Sequence, residues 1–572
     1  MAKRKVADII VDVLEAAGVK HCYGVVGDTL NHVTDAIRRS AIDWVHVRHE
    51  EAGAFAAGAE AYMTGQLTAC AGSCGPGSLH FINGIYESHR NRAPVVLIAS
   101  QVASTELGID FPQEVEFRPI YQHCSVFCET IWNPGQTRRM VTLAAQAALT
   151  RRGVAVLVVP GDIASMEVED GPAYSVHVPS PVTRPSDAEL DSIAALLNAG
   201  SRIAVYAGAG CEHAHDQVVR LCETLKAPMA HTSRAKDFVE YDNPYNVGMT
   251  GVFGSKAGFQ TVMQCDTLVL LGCDFAWRQF YPPNAKVVQI DLDPTHLGRR
   301  HPVDVGVVGD IAATLEALQP RLKPHTDRGF LDKALTLHRE VLEGFAEQAA
   351  PGRDGLIHPQ QVAALLDRHA EDDAIFTADG GSPMVWVLRY IRTNGQRRTL
   401  TSLLHGTMAN AMPQALGIKK ALPQRQVVAL CGDGGLSMLL GDLLTAVQEN
   451  IPYKLVVFNN GTLGFVELEM KVEGLLNAYT DLKNPDFGKL AEVIGLRGWT
   501  VERNEQLEST MQEFLAHPGP ALLNVHVNPN ELVMPPKIEP AMVVGTAIYG
   551  AKAILDGRIQ DVADLLSTNF LR

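Results

Sequence analysis

The chain has 572 residues, 46% of them hydrophobic and 20% charged, the balance of ordinary globular domains rather than of a disordered, collagenous or disulfide-framework protein. Its 49 Lys and Arg against 64 Asp and Glu leave a net charge of −15, so no overall basic field attracts nucleic acid. No apolar run approaches the roughly 18 residues that span a bilayer. Asp8, Asp12 and Glu15 interrupt what would be the apolar core of a signal peptide, and a cytoplasmic chain is expected. The ten cysteines form no CxxC pair. His123 beside Cys124 and Cys128 would suit a metal, but buried thiols in a reducing compartment fit better.

Short β-branched runs alternate with helical stretches along the chain. They occupy 44–47, 67–71, 95–99 and 154–159, then 203–207, 267–271 and 287–290, then 374–377, 427–430, 455–458 and 522–527. This alternation predicts an α/β protein of three doubly wound parallel-sheet domains. Pro179-Ser180-Pro181 reads as a linker and the charged stretch after Lys323 as a second boundary. The expected division is 1–182, 183–334 and 335–530, with a C-terminal amphipathic helical tail over 531–572.

The most informative segment is Val427 to Gly435. It reads as a strand running into Gly432-Asp433-Gly434-Gly435, then Leu436, Leu439, Leu440, Leu443, Leu444 and Val447 at helical spacing, then a strand ending at Asn459-Asn460. A right-handed crossover makes the two strands parallel, so Asp433 and Asn460 emerge on the same sheet edge. The glycines let backbone N–H groups approach a phosphate at a helix start. A carboxylate and an amide are hard oxygen ligands suited to Mg²⁺. Taken alone, a Gly-Asp-Gly is a turn.

The pair, at this separation, resembles the diphosphate-binding motif of the thiamin diphosphate enzymes. The resemblance implies Asp433, Asn460 and the Thr462 carbonyl as Mg²⁺ ligands, with Gly434 and Gly435 along the diphosphate. Arg48-His49-Glu50-Glu51, otherwise an ordinary solvated helix start, is similar to the family's glutamate motif. Glu50 is then the residue that hydrogen-bonds N1′ of the aminopyrimidine, and Glu51 lies on the following helix without a catalytic role. His405 to Gly417 resembles the segment that holds the aminopyrimidine through Gly406, Thr407 and Met408, Met408 being the wedge behind the thiazolium. Cys74-Gly75-Pro76-Gly77 resembles the family's loop near the pyrimidine. Family precedent makes a dimer the minimum active unit and a homotetramer usual.

In the middle, Ala207-Gly208-Ala209-Gly210 is a weak dinucleotide signal because the third glycine is missing. Three further stretches resemble the FAD-binding domain of pyruvate oxidases and acetolactate synthases: Gly251, Val252, Phe253 and Gly254; Asp274, Phe275, Ala276, Trp277 and Arg278; and Asp291 and Leu292. Over its whole length the chain is similar to the quinone-reducing branch of that family. The resemblance implies oxidation of pyruvate to acetate and CO₂, with electrons passing through FAD to ubiquinone or menaquinone. It also implies that Phe465 moves into the active site, and that the enzyme works peripherally on the cytoplasmic face of the membrane. Acetolactate synthase and a phosphate-using, peroxide-forming oxidase are the alternatives. Gly380 and Phe111-Pro112-Gln113 depart from the bulkier or differently placed apolar residues expected near the substrate. In the tail, Leu555, Ile559, Val562, Leu566 and Phe570 are expected on one face of a single helix, with Asp556, Arg558, Asp561 and Asp564 off it. That helix is implied to cover the active site at rest and to bind membrane lipid when the flavin is reduced.

Overall fold

The computed structural model describes residues 3–172, 174–352, 355–533, 535–537 and 540–570. Among these residues lie three six-stranded sheets, each parallel throughout, and one antiparallel ribbon pairing Lys3–Lys5 with Glu167–Glu169. With strands numbered in chain order within each sheet, the first and third sheets both run 2-1-3-4-6-5, and the middle one runs 3-2-1-4-5-6. The latter is the doubly wound order whose switch point receives dinucleotides. Central strands such as Val95–Gln101, Val154–Pro160 and Lys454–Asn459 are buried along their whole length, as strands covered on both faces must be.

The chain crosses from the middle to the third domain within one helix, Gly329–Gln348. Its Ala334, Phe330 and Leu335 pack on the middle domain, whereas Phe345 packs on the third. The expected boundary at 334/335 therefore falls inside an element shared by both cores.

The first and third domains meet through helices Glu50–Thr64 and Ala411–Ala421. These carry a stripe of small residues: Ala54, Ala56, Ala57, Ala411 and Ala415 are all fully buried. A Cβ on Gly417 would sit 2.1 Å from the Ala56 carbonyl oxygen, so glycine sets how closely the helices approach.

The tail is two helices, not one: Pro540–Leu555 and Ile559–Phe570. Gly557, at φ +81°, ends the first in a Schellman motif, with Arg558 N donating to Ala553 O and Gly557 N to Ile554 O. The expected apolar face is thereby split. Leu555, Ile559 and Leu566 are exposed, and the docked residues are instead Tyr549, Ala553 and Leu565, with Val562 partly buried. The side chain of Phe570 lies outside the described residues. The first tail helix packs on Gly464–Val472; Lys552 Nζ donates to the Gly474 carbonyl at 2.7 Å and Arg558 to Asn477 at 3.1 Å. No helix among the described residues is long and apolar enough to cross a membrane.

Candidate active site

Strands Val427–Gly432 and Lys454–Asn459 are adjacent and parallel, Gly432 lying opposite Phe458. Asp433 and Asn460 therefore leave the sheet on one edge. Asp433 is tied to the residue that follows Asn460: its Oδ2 accepts from Gly461 N at 2.8 Å and from Asn484 Nδ2 at 2.7 Å, while Oδ1 accepts from Gly434 N at 2.9 Å. Asn460 Oδ1 accepts from Thr462 N at 3.2 Å. A Cβ on Gly464 would press on the Asn460 amide at 2.8 Å, one on Gly434 would meet Leu463 at 2.7 Å, and one on Gly435 would meet Asp379 Oδ2 at 2.3 Å. Crowding around the turn thus calls for glycine at 434, 435 and 464.

The helix expected after the turn is broken by a 3₁₀ turn at Leu440–Asp442. The break has a local cause. Asp442, buried, accepts Arg48 N at 2.8 Å and the Thr445 hydroxyl at 2.9 Å, so the third domain anchors the backbone immediately before Glu50.

These residues open onto a cleft lined by Asp433, Gly434, Gly435, Asn460, Thr462, Phe465, Met408 and Gly380. Met408 Cε comes within 3.4 Å of the Cβ position at Gly434, so the His405-to-Gly417 segment and the Asp433 turn face each other as expected. Gly406 holds φ +75° with open space beside it. Thr407 accepts from Asn83 Nδ2 at 3.0 Å and donates to Met408 O at 2.9 Å. Gly380 lines the cleft, but its missing Cβ points at the Thr407 carbonyl, 2.3 Å away. Close backbone approach, and not added room for substrate, accounts for glycine there.

Among the described residues, the ionisable ones lining the cleft are Asp379, Asp433 and Glu531, without Lys, Arg or His. Burial pushes the Asp433 carboxyl above the usual carboxylate range, and that of Asp379 up to about 7; Asp379 Oδ2 is buried without a partner. A desolvated carboxylate with a side-chain amide on the same edge, and no basic side chain among the described residues lining the cleft, has the chemistry of a hard-cation site. Glu531, in the expected tail, accepts from Gln360 and is hydrogen-bonded to His358 at 2.5 Å.

Glu50 is the first residue of its helix, and His49 Nδ1 caps that helix by accepting Glu51 N at 3.2 Å. Glu50 is 7% exposed, its Oε2 lies 3.0 Å from His80 Nδ1, and His80 stacks on His49 at 4.8 Å. Glu51 lies on the same helix and accepts from Asn83 at 2.6 Å. Glu50 does not line the cleft of its own chain. Phe111 and Gln113 are also outside it, Gln113 accepting from the Cys74 thiol at 3.2 Å.

The expected flavin residues gather at the carboxyl edge of the middle sheet. Gly251 and Phe253 follow strand Asn246–Met249, Asp274 follows Thr267–Leu271, and Asp291 ends Lys286–Asp291. Thr250 Oγ1 is buried with no partner, and Gly251, at φ +108°, could not carry a Cβ past the Phe275 ring. Burial opposes the charge on Asp274, yet Arg299 and Arg300 hold its carboxyl below the usual range. Asp291 accepts from Asp293 N at 2.9 Å and sits 3.1 Å from His296 Nδ1. Val252 is half-buried, while Ala276, Trp277, Arg278 and Leu292 are exposed. Both glycines of the Gly208/Gly210 turn press on the Gly272 backbone, a Cβ at 208 falling 2.1 Å from its oxygen.

Three family models match in order: the N-terminal TPP binding domain of thiamine pyrophosphate enzymes over residues 4–120, their central domain over 190–318, and their C-terminal TPP binding domain over 379–525. YdaP of Bacillus subtilis, named for an inferred thiamine pyrophosphate content, is 32% identical over 98% of this chain and 97% of its own. The chain belongs to the thiamine pyrophosphate enzymes. Pyruvate oxidase of Lactiplantibacillus plantarum is 30% identical over 88% of this chain and 85% of its own. An uncharacterised 42.6 kDa protein of Pseudomonas amyloderamosa is 49% identical over 62% of this chain and 90% of its own. Thiamine pyrophosphate is the compound also called thiamin diphosphate, so this thiamine pyrophosphate enzyme carries the Asp433 and Glu50 motifs in its two TPP binding domains. Sequence reasoning missed Asn484, Asp442, Glu531 and the pair Arg299/Arg300. Only the adjacent arginines offered a signal, a doubled cation following the Asp-Leu-Asp-Pro turn.

Proposed function

We propose that this chain oxidises pyruvate to acetate and carbon dioxide and passes the two electrons through FAD to a membrane quinone, ubiquinone or menaquinone. The observation that carries the reading is the contact between the middle-domain loop at Gly251–Gly254 and the cleft, where the rings of Phe253 and Phe465 meet edge-on with centroids 6.3 Å apart. An oxidant bound by that loop would neighbour the decarboxylation site. When bound, thiamine pyrophosphate supplies the electron sink that lets carbon dioxide leave, and FAD takes up the electrons.

The chain's own residues divide the remaining work. Asp433, Asn460 and the Thr462 carbonyl would hold Mg²⁺, Gly434 and Gly435 would flank the diphosphate, Gly406 and Thr407 would fix the aminopyrimidine, and Met408 would stand behind the thiazolium. Glu50 would hold a proton at N1′. Its position outside its own cleft supports service to a second copy, hence a dimer at least and a homotetramer by family precedent. Thr250, Gly251, Asp274 and Asp291 would hold FAD, with Val252 and Phe275 beside the loop and Ala276, Trp277, Arg278 and Leu292 at the rim. The exposed Val543, Val544, Ile548, Leu555 and Ile559 on the tail helices support reversible contact with membrane lipid on the cytoplasmic face, by apolar burial rather than charge.

The test is anaerobic addition of pyruvate to the FAD- and thiamine pyrophosphate-loaded enzyme. Bleaching of the flavin with acetate as product is expected, and Glu50→Gln should slow it by about 10²- to 10⁴-fold with FAD retained. Acetolactate or acetyl phosphate as the product would replace the reading.

A further inference from the structure

The middle-domain loop after strand Asn246–Met249 is held from two sides. Arg389, in the last turn of helix Ser382–Tyr390, donates Nε to the Phe253 carbonyl at 3.0 Å and Nη2 to the Gly254 carbonyl at 3.4 Å, with its guanidinium 5.8 Å from the Phe345 ring centre. The same helix begins at Ser382, Pro383 and Trp386 on the cleft wall. The loop's own backbone leaves it no slack. A Cβ on Gly254 would lie 2.6 Å from Met249 O and 2.6 Å from Thr250 Cα, and one on Gly258 would lie 2.6 Å from Met249 O. With two of its carbonyls held by Arg389 and its glycines packed, the loop keeps the half-buried ring of Phe253 against Phe465, which lines the cleft.

Phe465 is placed quite differently. It is the second residue of helix Gly464–Val472, just after Gly461 at φ +69° and the crowded Gly464. The outer face of that helix carries the first tail helix, where a Cβ on Gly545 would fall 1.8 Å from Val472 O. The Phe465 ring meets the ring of Phe253 edge-on, at 63° between planes.

We propose that Phe253 is the positioning residue for Phe465: the rigid loop uses that ring edge to fix where Phe465 rests on the cleft wall, so that occupation of the loop is felt in the cleft. This rests on the reading that the cleft takes thiamine pyrophosphate and the loop takes FAD. Two fates of pyruvate are then separated by the placement of Phe465. With water, pyruvate gives acetate and carbon dioxide, and two electrons and two protons pass to the flavin. With one added proton and no oxidant, it gives acetaldehyde and carbon dioxide. A displaced Phe465 favours the second, because the two-carbon fragment is protonated before its electrons leave.

The first measurement is hydrogen exchange on the full chain without cofactors. In Phe253→Leu, amides of Gly464–Val472 should exchange about tenfold faster, the scale of one edge-to-face aromatic contact, while Phe253→Tyr should match the wild type. Unchanged exchange in that helix overturns the proposal, as does an equal rise throughout the third domain, which is general loosening. The second measurement is the product ratio of the loaded enzyme given pyruvate. Compared at equal flavin occupancy, Phe253→Leu should raise the acetaldehyde share about tenfold, and an unchanged ratio overturns the proposal. If wild-type flavin is not reduced by pyruvate, the functional reading fails; the exchange experiment, which uses neither flavin nor substrate, still decides the ring contact.

Discussion

Gly380→Ala adds one methyl group at a point where the cleft has no space for it. The new Cβ would lie 2.3 Å from the Thr407 carbonyl oxygen, 2.9 Å from its carbon and 3.2 Å from the Gly406 oxygen. Ordinary contact begins at 3.4 Å, so the Thr407 carbonyl must retreat by about 1 Å, a demand in the range where overpacking takes 1–3 kcal/mol (roughly) from stability. Gly380 N also donates to that carbonyl and to Asn410 Oδ1, each at 3.1 Å, so both bonds are strained together. The displaced segment carries Gly406 and Met408, the groups assigned to the aminopyrimidine and thiazolium, and misplacement of about 1 Å can lower turnover by about 10²-fold. The assay is a titration with thiamine pyrophosphate and Mg²⁺, followed by decarboxylation at saturation; Gly380→Ala should lose affinity and about two orders of magnitude in rate. Gly432→Ala is the control, since Gly432 lines the same cleft and its Cβ meets only Pro383 Cγ at 3.7 Å. Equal behaviour of the two variants would refute the reasoning.

Asp433→Ala removes the only carboxylate assigned to the metal and should abolish Mg²⁺-dependent binding of thiamine pyrophosphate while flavin absorbance persists; calorimetric titration reads the loss. Leu555→Glu with Ile559→Glu alters two side chains that are 88% and 62% exposed, so melting should be unchanged while pyruvate-promoted sedimentation with liposomes disappears. Asp379 has its carboxyl pushed up to about 7 by burial, against about 3.9 when unfolded. Its contribution to stability is therefore full below about pH 4 and lost as pH rises toward 7. Across that window the wild type should lose about 4 kcal/mol relative to Asp379→Asn, read as diverging urea midpoints of the cofactor-free proteins.

Seven of the eighteen strands in the three sheets went unread in the sequence, and five of them, including Phe127–Thr130, Val305–Val308 and Arg497–Val501, are sheet edges. An edge strand is covered on fewer sides, so it carries no continuous apolar run. The other two, His21–Val25 and Met229–His231, are short and polar at one end. The Asp433 and Asn460 motif was legible because chain order alone brings the two residues to one edge. Asn484 was not, since it reaches Asp433 from a loop without periodicity. Asp442 hid inside a leucine pattern that looked continuous, where a buried bond to another domain's backbone overrides helical spacing. The tail misled for the opposite reason. Its spacing runs through Gly557, and a glycine one residue past a helix end is a stop that hydrophobic spacing cannot register.

The common strand order of the first and third sheets reaches further than topology. In each, the helix preceding the third strand is the one that packs on its counterpart, Glu50–Thr64 against Ala411–Ala421, so the two halves meet as like surfaces do in an isologous pair. They are one scaffold used twice, and they differ in where an acid survives. The first half keeps Glu50 at the start of that helix and has Ser73-Cys74-Gly75 after its third strand; the second half starts its helix at Ala411 and keeps Asp433 after its third strand. Each half thus carries an acid where the other has none, and the proposed centre draws one from each.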